Sequence, residues 1–298
     1  MCPHIAYGQH MDGTAPLQLR REVLAVMLLD DGVLANLDLD DDGVYAPPGD
    51  ADVFMDWAEL ATAADADTAM QSPPAIRRRI ARWMRLRIML AQWAATLGDE
   101  YAQHVTSRVR PRALPADHGL HPGTSWVIDR PLGGSTHFGL ALRGYTDDGI
   151  PDSECAGLLP ARLLDYAKVP SQPAISRAKQ YVHDMAELAV DRHRHDPSAV
   201  MRSLGDADVP TLLTSPLYRH TVLDGQGMRS AAVPIRHRGW LDLGRLDPAF
   251  AVSAAELTDP DDRGYTRPIL ITADEITMVK PGGNIIGQSL DDPVRPDR

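Results

Sequence analysis

Histidines and carboxylates at helical or turn spacing are the side chains of this sequence that could do chemistry, and they gather in four places. His183, Glu187, Asp191 and His195 lie four residues apart, which on a helix puts them on one face, as helices present ligands to zinc. The plainer account of such a row is a solvated face. His118 and His121, with His104 and His137 near in sequence, form the densest group of imidazoles. A zinc site there needs a third or fourth ligand and a covered position, and loop histidines beside proline and glycine are ordinarily exposed. Asp38, Asp40 and Asp42 alternate ahead of Gly43, as oxygens do at the start of a calcium-binding loop. The position that should close the shell is Gly49 instead of glutamate, and Pro47 and Pro48 bar an exit helix, so the segment reads as a hairpin turn. Last come His220 and Asp224, in His220-Thr221-Val222-Leu223-Asp224-Gly225. An imidazole near its ordinary pKa suits proton transfer at neutral pH.

That six-residue string resembles the HxxxDG motif of the chloramphenicol-acetyltransferase-like acyltransferases. The resemblance implies that His220 is the general base for an acceptor hydroxyl or thiol and that Asp224 is its scaffold. Arg219 stands where many members carry a second histidine. The alternative is a histidine beside a turn in a strand-rich region. Asp129, Arg130, His137 and Arg143 are a further polar set beside the Gly133-Gly134 turn, with no motif behind them. No metal and no cofactor is expected.

The element around which these groups must be placed is the stretch from Ala75 to Val105. Pro73 and Pro74 precede it, where missing amide protons cost nothing. Ile76, Ile80, Trp83, Leu90, Ala94 and Leu97 recur at three- and four-residue steps, so the spacing predicts one long amphipathic helix with a kink or end at Gly98. Six arginines, Arg77, Arg78, Arg79, Arg82, Arg85 and Arg87, fall on and beside its other face. Between Glu22 and Ile76 there is no Lys, Arg or His, and there are thirteen acids. The two blocks are expected to complement one another across a solvated surface. The competing reading is nucleic-acid binding through Arg77 to Arg87, which ordinarily comes with a basic domain. This chain is acidic, with a formal net charge of -11.

With 298 residues, 44% hydrophobic and 24% charged, the chain can bury a full core and is not of disordered composition. Arginine outnumbers the three lysines, Lys168, Lys179 and Lys280, as in proteins of GC-rich genomes. Cys2 and Cys155 are the only cysteines, so no disulfide framework is expected, and a reducing cytoplasm fits. The N-terminal stretch lacks the basic and apolar regions of an export signal, and no apolar run reaches the length of a membrane span.

In order, the expectation is a tail over 1–15, an acidic helical region over 16–107, an α+β region over 117–290 and a tail over 291–298. Helices are predicted over 17–29, 51–70, 160–168 and 174–195, and a linker over 107–123. Strands are predicted over 126–129, 136–145, 211–215, 231–236, 240–243 and 249–254, with a hairpin over 269–279. The fold class is α+β: a helical N-terminal half with a long central helix, and a strand-rich C-terminal part. The expected function is that of a soluble, cytoplasmic protein-interaction or assembly protein with a protein partner or a second copy of itself. The His220 acyltransferase is the enzymatic alternative.

Overall fold

Burial of the long helix organises the first half of the chain. The structure, a computed structural model, describes residues 17–30, 32–46, 53–64, 72–130, 134–242 and 248–279. The tails expected over 1–15 and 291–298, and Gly49 with Pro47 and Pro48, lie outside them. Of the described residues helix takes 48% and strand 25%, which places the protein in the mixed α+β class.

Helix α1 (Leu17–Leu29) packs on α3 (Pro73–Leu97). Between them come a small antiparallel sheet of β1 (Asp38–Leu39), β2 (Gly43–Tyr45) and β3 (Phe54–Asp56), and then α2 (Trp57–Ala64). The predicted hairpin turn is present, and Asp40 closes it by accepting the N–H groups of Asp42 and Gly43 at 2.7 and 2.9 Å. At Gly98 the backbone takes φ +53°, which ends α3 as the glycine predicts. One 3-10 turn later the chain resumes as α4 (Tyr101–Arg108).

The segment read as a linker is instead strand β4 (Val109–Pro115). Its prolines are tolerated because β4 is an edge strand of a sheet ordered β4-β5-β6, where missing amide protons break no ladder on the outer side. Strands β5 (Thr136–Tyr145) and β6 (Pro151–Leu159) complete that sheet. A 3-10 turn, Thr124–Trp126, stands where a strand was predicted over 126–129. Helix α5 (Arg162–Tyr166) leads to α6 (Ser171–His195), which is 25 residues long.

The C-terminal part is less strand-rich than predicted. Residues 211–215 fall in α7 (Val209–Leu213) and the turn after it, and His220 falls in α8 (Pro216–Leu223). Both helices carry start signals. Asp208 caps α7 by accepting the Thr211 N–H, and each helix has a proline in its first turn. Residues 249–254 lie in α9 (Pro248–Leu257), where a short apolar run was misread as a strand. The five-stranded antiparallel sheet runs β11-β10-β8-β9-β7. Its strands are β7 (Val200–Arg202), β8 (Met228–Ile235), β9 (Arg238–Leu241), β10 (Ile269–Thr272) and β11 (Ile276–Met278).

Two large cores result. One joins α1, α2, α3 and α5 to the inner residues of β5 and β6, with Ala174 and Ala178 of α6 at its edge. The other lies under the five-stranded sheet and takes Ala186, Ala189 and Val190 from the far half of the same helix. No helix among the described residues is long and apolar enough to cross a membrane.

Candidate functional site

The arginines of α3 face inward more than the charge pattern predicts. Three find acids in the preceding segment: Arg77 pairs with Glu22 at 2.6 Å, Arg85 with Asp30 at 2.7 Å and Arg87 with Glu59 at 3.1 Å. The other three are held by other groups among the described residues as well. Arg78 is held by Asp148 and by Asp261 at 2.9 Å, and Arg79 donates to the carbonyl of Ala64 at 2.9 Å. Arg82, only 1% exposed, donates to the carbonyls of Asp147 and Leu120. Burial pushes its guanidinium down to about 10. The expected solvated basic face is therefore a largely covered seam, in which backbone carbonyls as well as carboxylates accept from the guanidiniums and Arg82 Nη1 is left without a partner among the described residues. A polyanion would have to displace these partners.

Asp147, in the turn between β5 and β6, is the hub of that seam. Its carboxylate meets Arg112 of β4 at 3.0 Å and Arg236 at 3.4 Å, and accepts the Leu158 N–H at 3.0 Å. Arg112 in turn faces Asp208, the cap of α7, at 3.6 Å. Thr211 bonds Asp208 through its hydroxyl at 2.6 Å and accepts the Ala113 N–H at 2.9 Å. Groups from α3, β4, the β5–β6 turn, α7 and the β8–β9 turn thus lock the two cores together.

The densest histidine group is buried beside this seam instead of exposed. His121 Nδ1 accepts the Gly123 N–H at 3.1 Å, which leaves its proton on Nε2 to donate to His137 at 2.8 Å. By the same logic His118 accepts the Leu120 N–H and donates to the Arg263 carbonyl at 2.7 Å. His104 lies apart, edge-on to Trp93. Burial, with His137 alongside, pushes His121 down to about 3, and burial likewise lowers His118.

The folded protein therefore keeps His121 neutral where the unfolded chain takes up a proton, below about pH 6.5. Stability is expected to fall as pH drops from about 6.5 toward 3, with a slope of up to about 1.4 kcal/mol per pH unit from this group. Urea midpoints compared for the parent and His121→Gln between pH 6.5 and 5, above the carboxylate range, check this. An unchanged slope in the variant would rule the histidine out as the cause.

The remaining sequence candidates are not brought together. His220 is exposed on the last turn of α8, and Asp224 follows it in the left-handed conformation, also exposed. An acyltransferase base needs a covered tunnel around its imidazole, and this position does not supply one. His183 and Glu187 face each other at 3.4 Å, and Asp191 pairs with Arg194 at 3.5 Å, all on the solvated side of α6. Arg143 goes to Asp206 at 2.9 Å and His137 to His121, so they do not share a pocket with Asp129. No group of three metal-binding side chains occurs among the described residues.

One surface feature was missed from the sequence, where α1 read as a short apolar helix without a second face. Leu19, Val23, Val26 and Met27 turn inward, while Leu17, Leu24 and Leu28 line the opposite side. Leu17 and Leu28 are 76% and 75% exposed. With Arg21 the outer row reads 17, 21, 24, 28, and Leu29 and Val33 extend it toward a cavity of 430 Å³ lined by Val33, Ile88, Met89, Trp93 and Ile150. This outer row of leucines is the apolar surface that α1 leaves uncovered among the described residues. The chain matches no protein-family model, no curated protein and no solved structure.

Proposed function

We propose that this is a protein-interaction or assembly protein that associates through the outer face of α1, and that the occupant of that face is a second copy of the chain. The observation that carries the reading is the row Leu17, Arg21, Leu24, Leu28. Its steps of four, three and four are the same read in either direction. An isologous contact requires that residue i meet j while j meets i. In an antiparallel pair of α1 helices, Leu17 meets Leu28 of the partner copy and the Arg21 stem covers the partner's Leu24. Arg21 makes no ion pair within the described residues, and in this register it does not oppose its own symmetry mate.

A helix of 13 residues is about 20 Å long, so the contact belongs to the small, reversible class of interface. Sedimentation across a concentration series is expected to show the mass rising from the 32.6 kDa of one chain toward a dimer. The double variant Leu24→Glu, Leu28→Glu should weaken association at least about tenfold, roughly 1.4 kcal/mol, without altering the fold. Leu257→Glu, at an exposed leucine on α9, should leave association unchanged. A single-chain mass at the highest concentration, or equal weakening by Leu257→Glu, would overturn the proposal.

A further inference from the structure

Almost every arginine that has been described so far sits against a carboxylate or a carbonyl. Arg192, Arg202 and Arg238 do not. All three are exposed, and none of their side chains makes a hydrogen bond or an ion pair within the described residues. They converge on one cleft of 450 Å³, where Ser203 and His237 join them.

The placement of two of them is unfavourable by itself. Strands β7 and β9 pair antiparallel with Arg202 directly opposite Arg238, and like charges at directly opposed positions destabilise a strand pair. The backbone leaves little choice of geometry, because the Ser203 N–H is tied to the His237 carbonyl at 3.1 Å. An anion bridging the two guanidiniums would turn that repulsion into two charge-assisted contacts. The last turn of α6 brings in the third guanidinium, Arg192.

Arg192 and Arg202 also line an adjoining recess with Ser198 and Tyr218. Tyr218 is 4% exposed, and its hydroxyl, which makes no hydrogen bond to another described residue, is open to the recess instead of buried. Burial pushes its ionisation up to about 12, so the hydroxyl is a donor at neutral pH. Ser198 accepts the Val200 N–H at 3.0 Å, which leaves its own proton to donate. Among the described residues Asp196 is the one carboxylate lining the recess. Asp262 stands by, 3.4 Å from Arg236 and 3.7 Å from His237.

We propose that this cleft binds a small ligand bearing phosphoryl groups, with Arg202 and Arg238 holding one phosphoryl group between adjacent strands and Arg192 and Tyr218 donating from α6 and α8. Three unpaired guanidiniums with neutral donors fit phosphate oxygens in number and kind. A long polyanion fits poorly, because the chain carries a net charge of -11, and Asp196 and Asp262 stand beside the cleft. The site is separate from the α1 face, so its test is independent of association.

Calorimetric titration of the full chain with pyrophosphate at low salt tests the assignment, and inorganic phosphate and a nucleoside diphosphate serve as parallel arms. One site per chain is expected. Arg202→Gln and Arg238→Gln should each weaken pyrophosphate binding at least tenfold, while Arg194→Gln, which removes the partner of Asp191 outside the cleft, should leave it unchanged. Tighter binding of the nucleoside diphosphate than of pyrophosphate supports an organic phosphate as ligand, and equal affinity supports an inorganic one. No binding of pyrophosphate at millimolar concentration, equal loss in all three variants, or binding of a DNA oligomer alone would overturn the proposal.

Discussion

Asp147→Ala is expected to destabilise the protein by about 3–5 kcal/mol, the range for removing one partner of a buried ion pair. The loss comes from what is left behind. Arg112 and Arg236 would face each other across the emptied position, with only Asp208, at 3.6 Å from Arg112, and the more exposed Asp262 to answer them. The Leu158 N–H would also lose its acceptor. Asp147→Asn should cost less, because it keeps the shape and one acceptor oxygen. The pair Asp191 and Arg194 is exposed, and disrupting it should change stability by no more than about 0.5 kcal/mol. Urea denaturation followed by tryptophan fluorescence measures all three. A loss of less than 1 kcal/mol, well under that range, for Asp147→Ala would mean that the seam does not lock the cores.

Gly157→Ala should be nearly as damaging, at about 3 kcal/mol, the upper end for forcing atoms into a filled site. A Cβ on residue 157 would stand 1.9 Å from the Thr146 carbonyl oxygen and 2.8 Å from that of Tyr145. Both are backbone atoms, so no rotamer change relieves the clash. The turn must lift away from β6, and that turn carries Asp147 and Asp148 to their arginines. The effects of Gly157→Ala and Asp147→Ala should therefore fall short of additive, since either one already loosens the same contacts. A double-mutant cycle reads this directly. Full additivity would show that the turn and the ion pairs act independently.

Local pattern made the helical frame legible. The limits of α1 at Leu17 and Leu29 and the break at Gly98 follow from apolar period, proline and glycine. The strands of the β10–β11 hairpin were legible for the same reason. Residues 211–215 were misread although Asp208 and Pro210 signal a helix start, because a short apolar run was weighed above its cap. Strand β4 was lost behind Pro111 and Pro115, which exclude a central strand and permit an edge.

The polar seam had no local signature. Arg82 and Asp147 are 65 residues apart, and Arg236 and Asp147 are 89 apart. Charge counting along the chain pairs neighbours, and only the fold shows that Asp148 and Asp261 hold Arg78 in place of the nearer acids. The same holds for the cleft. Arg202 and Arg238 become opposed only through strand pairing, and the row on α1 was visible as leucines while its outward direction was not.

Helix α6 gives its first half to one core and its second half to the other. A gene fragment ending near residue 170 would code for the earlier elements without Ala174 and Ala178 against them, and one starting near 196 would leave the five-stranded sheet without its cover. Neither piece carries a complete core. Both cores are therefore expected to unfold in a single thermal transition.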